Sequence, residues 1–380
     1  VDLPGKMGIS VCSMGEKRVV KNPVIKSLIV GSDVGRIGAA LASTHRATTR
    51  VAPTLDFSVK LPGRLKNAAI CFFVCCLLVA CQSDQATSTP TAAPTETVEI
   101  TATPVLIDPP EIVELTLETA PILPIVSEHA LDIYREALAQ GRNPQVFSKV
   151  GDCMTASPNF LTPLGTGDYD LGDYADLQET VDYFSAVTVR EIDGAPVNSF
   201  SNPGLAAASG CTTAGPLDQT WANPAFCEAG EIPLACEYRV SNPAIALIMF
   251  GTNDVYYFDA EKYETYLRSG IEATLDQNVL PVLSTFPTRL DRAEESIDYN
   301  RIVVRLAAEY DIPLINLWRA LDDLPNDGVN PEDVTHLTVP DDGCLACFDG
   351  DHLQYGITVH NLTTLTALEA LREALIISNQ

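Results

Sequence analysis

The sequence predicts an α/β domain built on a three-layer, doubly wound parallel sheet, and three observations lead there. Continuous apolar runs such as Ala244–Phe250, bounded by Pro243 and Gly251, suit strands buried on both faces. Segments of helical spacing alternate with those runs, as the crossovers of a parallel sheet require. The chain has 380 residues and is 46% apolar, enough for one large α/β domain with extras or for two ordinary domains.

Taken in order, Ser127 caps a helix whose apolar positions Ala130, Leu131, Tyr134 and Leu138 recur at helical spacing, and Gly141 to Pro144 stops it. A strand over Val146–Val150 ends at Gly151-Asp152-Cys153. Asn198 to Arg239 is irregular, rich in Gly and Pro with Cys211, Cys227 and Cys236, and reads as disulfide-stapled loops over the sheet end. The strand Ala244–Phe250 leads into Gly251-Thr252-Asn253-Asp254 and a helix over Ala260–Gln277. Strand Val279–Ser284, helix Glu294–Tyr310, strand Ile312–Leu317 and a closing helix Thr358–Ile377 complete the alternation. Ligand sites in such sheets lie beyond the carboxyl ends of the strands.

Lys and Arg number 24 against 50 Asp and Glu, a net charge of −26, so a sequence-independent grip on nucleic acid is not expected. Residues 1–80 carry +7 and the remainder −33, two histories in one reading frame. After the basic flank Arg64-Leu-Lys66, Ala68–Cys81 is an uncharged apolar run of 14 residues. A spanning helix needs roughly 20, so residues 59–80 read as a signal peptide. The run ends in Leu78-Val79-Ala80-Cys81, which looks like a bacterial lipobox. That resemblance implies cleavage before Cys81, lipid on its sulfur, and an extracytoplasmic protein held at the outer face of the cell membrane. Residues 81–124, rich in Thr, Pro, Ala and Glu, read as a tether, with enough apolar residues between Ile112 and Leu123 for a short structured arm. Residues 1–58 precede a signal that belongs at an N-terminus and read as a segment outside the native product, with a genuine small extension as the competing view. The folded domain is then 125–380.

Gly151-Asp152-Cys153 and Gly251-Thr252-Asn253-Asp254 resemble the first and third sequence blocks of the SGNH (GDSL-type) hydrolase superfamily, over roughly residues 127–377. The resemblance implies a flavodoxin-like sheet and hydrolysis of acyl or acetyl esters. In that family the first-block Ser is the nucleophile, its amide and a second-block Gly bind the oxyanion, the third-block Asn adds a donor, and a His three residues after an Asp is the base. Carried over, Cys153 takes the nucleophile position and Cys153, Gly210 and Asn253 form the oxyanion hole, with Gly204 as a second candidate glycine. Asp333-Val-Thr-His336 is the preferred base pair, since it follows the last strand after a loop of typical length. Asp349-Gly-Asp-His352 retains the Gly of the more usual form and stands as the alternative. Acyl transfer needs these groups on physical grounds: a nucleophile, an imidazole to take its proton, a carboxylate to fix the tautomer, and donors for the oxyanion. Each alone has a plainer role, because Asn253 or Asp254 also suits a helix cap.

Cysteine reacts as its thiolate; a helix N-terminus beside His336 favours that form, and neighbouring Asp152 opposes it. Of 11 cysteines, Cys153, Cys211, Cys227, Cys236, Cys344 and Cys347 fall in the domain. Proximity favours Cys227 with Cys236 and Cys344 with Cys347. The remaining pair, Cys153 and Cys211, would cap the nucleophile if bridged in an oxidising compartment. No second Cys or His pair stands near Cys344-x-x-Cys347 in sequence, so neither metal nor cofactor is expected. Three functions follow: an extracytoplasmic ester hydrolase-like lipoprotein using Cys153, His336 and Asp333, a non-catalytic envelope or glycan-binding lipoprotein with Cys153 bridged to Cys211, or a redox-gated hydrolase in which that bridge opens on reduction. The expected partners are a small ester or glycan and the membrane through the lipid, with the chain a monomer.

Overall fold

Parallel strands need crossovers, and the chain supplies a helix at almost every one. The computed structural model describes residues 115–377. The N-terminal extension, the signal segment, Cys81 and the tether up to residue 114 lie outside the described residues.

In chain order the elements are α1 (Glu128–Ala139), β1 (Asn143–Gly151), α2 (Cys153–Ala156), α3 (Thr162–Thr166), α4 (Gln178–Ser185), β2 (Arg190–Ile192), β3 (Ala195–Val197), β4 (Ala206–Ala207) and α5 (Pro233–Ser241). There follow β5 (Pro243–Met249), α6 (Asp254–Tyr257), α7 (Ala260–Asp276), β6 (Leu280–Ser284), α8 (Ala293–Tyr310), β7 (Leu314–Ile315), α9 (Leu317–Leu321), β8 (Val329–Asn330), β9 (Asp333–Leu337) and α10 (Gly356–Ile377). Five strands form one parallel sheet in the order β4-β1-β5-β6-β7. From β1 the chain goes first to β4 on one side and then to β5 on the other. This is the doubly wound, flavodoxin-like order, and its reversal puts the switch point at the carboxyl ends of β1 and β5, where ligand sites of such sheets lie. Every residue of β5 is buried, as expected for a strand covered on both faces.

Local chemistry explains the elements that the sequence predicts. The Ser127 hydroxyl accepts from the Ala130 amide at 3.1 Å and starts α1, whose buried positions are Ala130, Leu131, Tyr134 and Ala137. Asp259 caps α7 in the same way through the Lys262 amide. The last strand is shorter than the apolar run Ile312–Leu317, because Asn316 leaves the sheet to cap α9 by accepting from the Arg319 amide. The span 198–239 is not wholly irregular: it holds β4 and most of α5. Helix α5 escapes a hydrophobic-periodicity reading because it buries Glu237, whose carboxylate accepts from Ser148 Oγ at 2.6 Å, Ser241 Oγ at 2.7 Å and the Leu205 amide at 2.6 Å. The hairpin β2–β3 turns on Asp193 and Gly194, both with positive φ, a primed turn that suits strand twist.

The last residues read as tether pack on the domain. Leu117 and Ala120 are buried with Val304, beside Leu314 and Trp318. Asn316 Nδ2 donates to the carbonyls of Leu117 (2.7 Å) and Ala120 (3.2 Å), and the Asn316 amide donates to Ile122 at 3.0 Å. One side chain thus caps α9 and holds the arm across the β7 edge. Asn316→Ala is expected to lower unfolding free energy by about 3 kcal/mol in urea titrations, from lost hydrogen bonds and orphaned buried carbonyls. A loss below about 0.5 kcal/mol contradicts this account of the arm.

Candidate active site

Three neighbouring strands deliver their next residues to one place. Cys153 lies two residues beyond β1, Gly210 three beyond β4, and Asn253 four beyond β5. Gly204 instead precedes β4, with φ of 73°, and a Cβ there would run into the Lys149 carbonyl. It therefore sits at the opposite end of that strand from Gly210, whose φ is 75° and whose surroundings are open.

The turn after β5 is tightly determined. Gly251 has φ of 146°, and a Cβ there would fall inside the Phe286 ring. Phe286 is itself clamped by Asn300, which accepts from its amide at 2.9 Å and donates to its carbonyl at 2.8 Å. Tyr263 donates to the Phe250 carbonyl and Arg289 to the Thr252 carbonyl, fixing both flanks of the glycine. Gly251→Ala is accordingly expected to destabilise the fold by about 3 kcal/mol or more, read as a lowered urea midpoint. A midpoint within error of the wild type contradicts the clamp.

From this turn Asn253 Nδ2 donates to the Cys211 carbonyl at 2.9 Å and lies 3.9 Å from Cys153 Sγ. Asp254, fully buried, accepts from the Thr213 amide (2.9 Å) and hydroxyl (2.6 Å), so the turn Gly251–Asp254 holds the Gly210 loop in place. Asp152 caps α2 through the Met154 amide, which sets Cys153 as the first residue of that helix. Thr213 and Arg289 were not legible as site residues in the sequence, because only the fold brings them to these backbone groups.

The Cys153 thiol is not activated in this resting arrangement. Burial, reinforced by the Asp152 carboxyl, pushes it up to about 12, against the help of Asn253 and the helix amides. The helix N-terminus therefore loses the contest that the sequence left open. Cys153 and Cys211 are both free, buried thiols, so the bridge weighed between them is not formed. The reason is orientation: Cys211 Sγ packs on Gly215 and the Thr212 carbonyl, and it is the Cys211 carbonyl that faces Asn253. The other two pairs, Cys227–Cys236 and Cys344–Cys347, are disulfides.

Strand β9 packs against α2 and carries the preferred acid–base pair. His336 Nδ1 lies 2.8 Å from Asp333 Oδ2, while Asp333 Oδ1 accepts from Thr335 Oγ1 at 2.7 Å. The Thr335 hydroxyl, followed by the imidazole, holds the Asp333 carboxyl below its usual range. A proton on Nδ1 facing Asp333 leaves Nε2 as the basic nitrogen, and Nε2 has no hydrogen-bond partner among the described residues. The contact from β9 to the nucleophile position runs through the Thr335 carbonyl, 3.8 Å from Cys153 Sγ, rather than through the imidazole. In the alternative pair, His352 Nδ1 faces Asp349 at 2.8 Å and Nε2 faces Asp342 at 3.0 Å. Both nitrogens are engaged and the two carboxylates raise the imidazole, so no nitrogen is left to serve Cys153.

Asp152 and Asp254 each bury a second oxygen without a hydrogen bond. Burial raises them to about 7 and about 6 from an ordinary 3.8. Their folded pKa exceeds the unfolded one, so the stability tied to their protonated forms is present at low pH and is lost as pH rises from about 4 to about 7. Asp152→Asn, which keeps the cap, removes one contribution. Its Tm relative to the wild type is expected to rise between pH 4.5 and pH 7.5, on the order of 5 °C. A Tm difference that stays constant across that window contradicts a buried, proton-binding Asp152.

The fold is a flavodoxin-like α/β domain whose neighbouring strand ends gather Cys153, the Gly210 loop and Asn253 at the switch point. No protein-family model and no curated protein matches the chain. Among solved structures it is similar to a lipase/acylhydrolase from Enterococcus faecalis, with 17% identity, 60% of this chain and 95% of the other covered, and a TM-score of 0.37. It is also similar to the psychrotrophic esterase EstA from Pseudoalteromonas sp., with 13% identity, coverage of 60% and 99%, and a TM-score of 0.37. The SGNH-hydrolase family esterase AlinE4 shows 20% identity, coverage of 61% and 97%, and a TM-score of 0.30. Among the described residues no helix is long and apolar enough to cross a membrane.

Proposed function

We propose that this protein is an SGNH-type ester hydrolase in which Cys153 replaces the usual Ser, His336 is the base and Asp333 orients it. The observation that supports the reading is the Asn253 amide 3.9 Å from Cys153 Sγ, with β9, which carries the Asp333–His336 pair, packed against the helix that Cys153 begins. The thiol is protonated at rest, so attack requires His336 Nε2 to take its proton as the sulfur adds to the ester carbonyl. The oxyanion that forms meets the Asn253 amide, with the Cys153 and Gly210 backbone amides completing the hole. Collapse expels the alcohol, which receives the proton from His336, and water then releases the acid from the thioester. The lipobox-like segment ending at Cys81 supports placing this chemistry outside the cytoplasm, with the domain tethered to the membrane by lipid and working as a monomer on small acyl or acetyl esters.

A second reading is favoured by one observation: the sulfur is buried and faces the Thr335 carbonyl rather than an imidazole. In that reading the crevice binds a glycan or another envelope ligand without turnover. Release of p-nitrophenol from acetyl to octanoyl esters by the reduced full chain separates the two. Saturable turnover supports the hydrolase, and absence of turnover across the series overturns it.

A further inference from the structure

The loop between β9 and α10 carries a donor set that the hydrolase reading does not use. Cys344 Sγ, Cys347 Sγ and a ring nitrogen of His352 lie within 4.8 Å of one another. Asp342 stands beside this set: one carboxylate oxygen is 3.0 Å from His352 Nε2, and the other accepts from the Cys344 amide at 3.0 Å. On its far side His352 Nδ1 meets Asp349 at 2.8 Å, and Asp349 is itself fixed by the amides of Asp351 and His352. A carboxylate behind Nδ1 of an imidazole that lies beside two sulfurs is the outer-shell arrangement of a metal-binding histidine.

The disulfide between Cys344 and Cys347 is a poor explanation for this loop as a staple. It spans only two intervening residues, so it removes little freedom from the unfolded chain. The loop backbone is already held without it. Ala346 and Phe348 pair with Asp170 at 3.1 and 2.8 Å, and Asn361 Nδ2 donates to the Leu345 carbonyl at 3.0 Å.

We propose that, once reduced, Cys344, Cys347, His352 Nε2 and Asp342 bind one zinc-type divalent cation in a tetrahedral site. Two thiol equivalents deliver two electrons and two protons to the S–S bond and leave as their own disulfide. The cation then displaces the two thiol protons and binds two thiolates, one imidazole and one carboxylate. The sequence hid this set because Asp342 and His352 are ten positions apart and are joined only by the fold of the loop. The proposal is independent of the ester-hydrolase reading.

The test uses the full chain, reduced with a phosphine and titrated anaerobically with cobalt(II) alone. The expected result is one equivalent more cobalt than Cys347→Ser binds, with a near-ultraviolet thiolate charge-transfer band and visible tetrahedral bands that zinc(II) bleaches. His352→Gln, which leaves both thiols in place, is expected to weaken binding at least tenfold, and Cys227→Ser to leave it unchanged. Equal uptake by wild type and Cys347→Ser, or affinity indifferent to His352→Gln, overturns the site. Circular dichroism of each variant shows that the comparison is made between folded proteins.

Discussion

Cys153→Ala lowers kcat/KM for a short-chain p-nitrophenyl ester by about 10³-fold, and His336→Ala lowers it by a comparable factor. The two losses are expected not to multiply in the double variant, because a protonated thiol held near pKa 12 attacks only as the imidazole takes its proton. Removing either member therefore removes the same step. His352→Ala, in contrast, leaves kcat/KM within about threefold, since both of its nitrogens are engaged by Asp349 and Asp342. Steady-state kinetics on the reduced proteins give the answer. Full activity in His336→Ala, or a collapse confined to His352→Ala, reverses the assignment of the base.

Asn253→Ala carries the second large effect, a fall in kcat of about 10²-fold with KM changed by less than about threefold. Its amide matters most when negative charge forms on the carbonyl oxygen, so the loss belongs to the transition state rather than to binding. The same amide holds the Cys211 carbonyl at 2.9 Å, and the variant's Tm must be read alongside its kinetics. A fall in kcat at near-native Tm supports direct stabilisation of the oxyanion. A KM effect of equal size with kcat unchanged makes Asn253 a ground-state contact and contradicts its place in the hole.

The elements legible in the sequence are those with a single dominant signal. β5 shows itself as an apolar run closed by Pro243 and Gly251, α1 by its Ser127 cap and helical spacing, and α7 and α8 as long helical stretches between strands. What escaped is short or buries polar groups: β4 is two residues, and α5 hides behind Glu237. In the site, Cys153 and Asn253 are legible because each follows a strand end in a recognisable motif. The Thr335 carbonyl at the sulfur is a backbone group and leaves no mark on composition. The clamp of Asp254 on Thr213 joins residues 41 positions apart, a distance no local pattern encodes. The free state of Cys211 is likewise decided by orientation, which cysteine counting does not contain.

The most direct measurement is mass spectrometry of the reduced chain quenched in acid within its first turnovers of an activated acyl ester. A single acyl adduct, mapped to the peptide containing Cys153, is expected to accumulate in the wild type and to be absent from Cys153→Ala and from His336→Ala. Ester turnover with no adduct on Cys153, and with Cys153→Ala as active as the wild type, contradicts it.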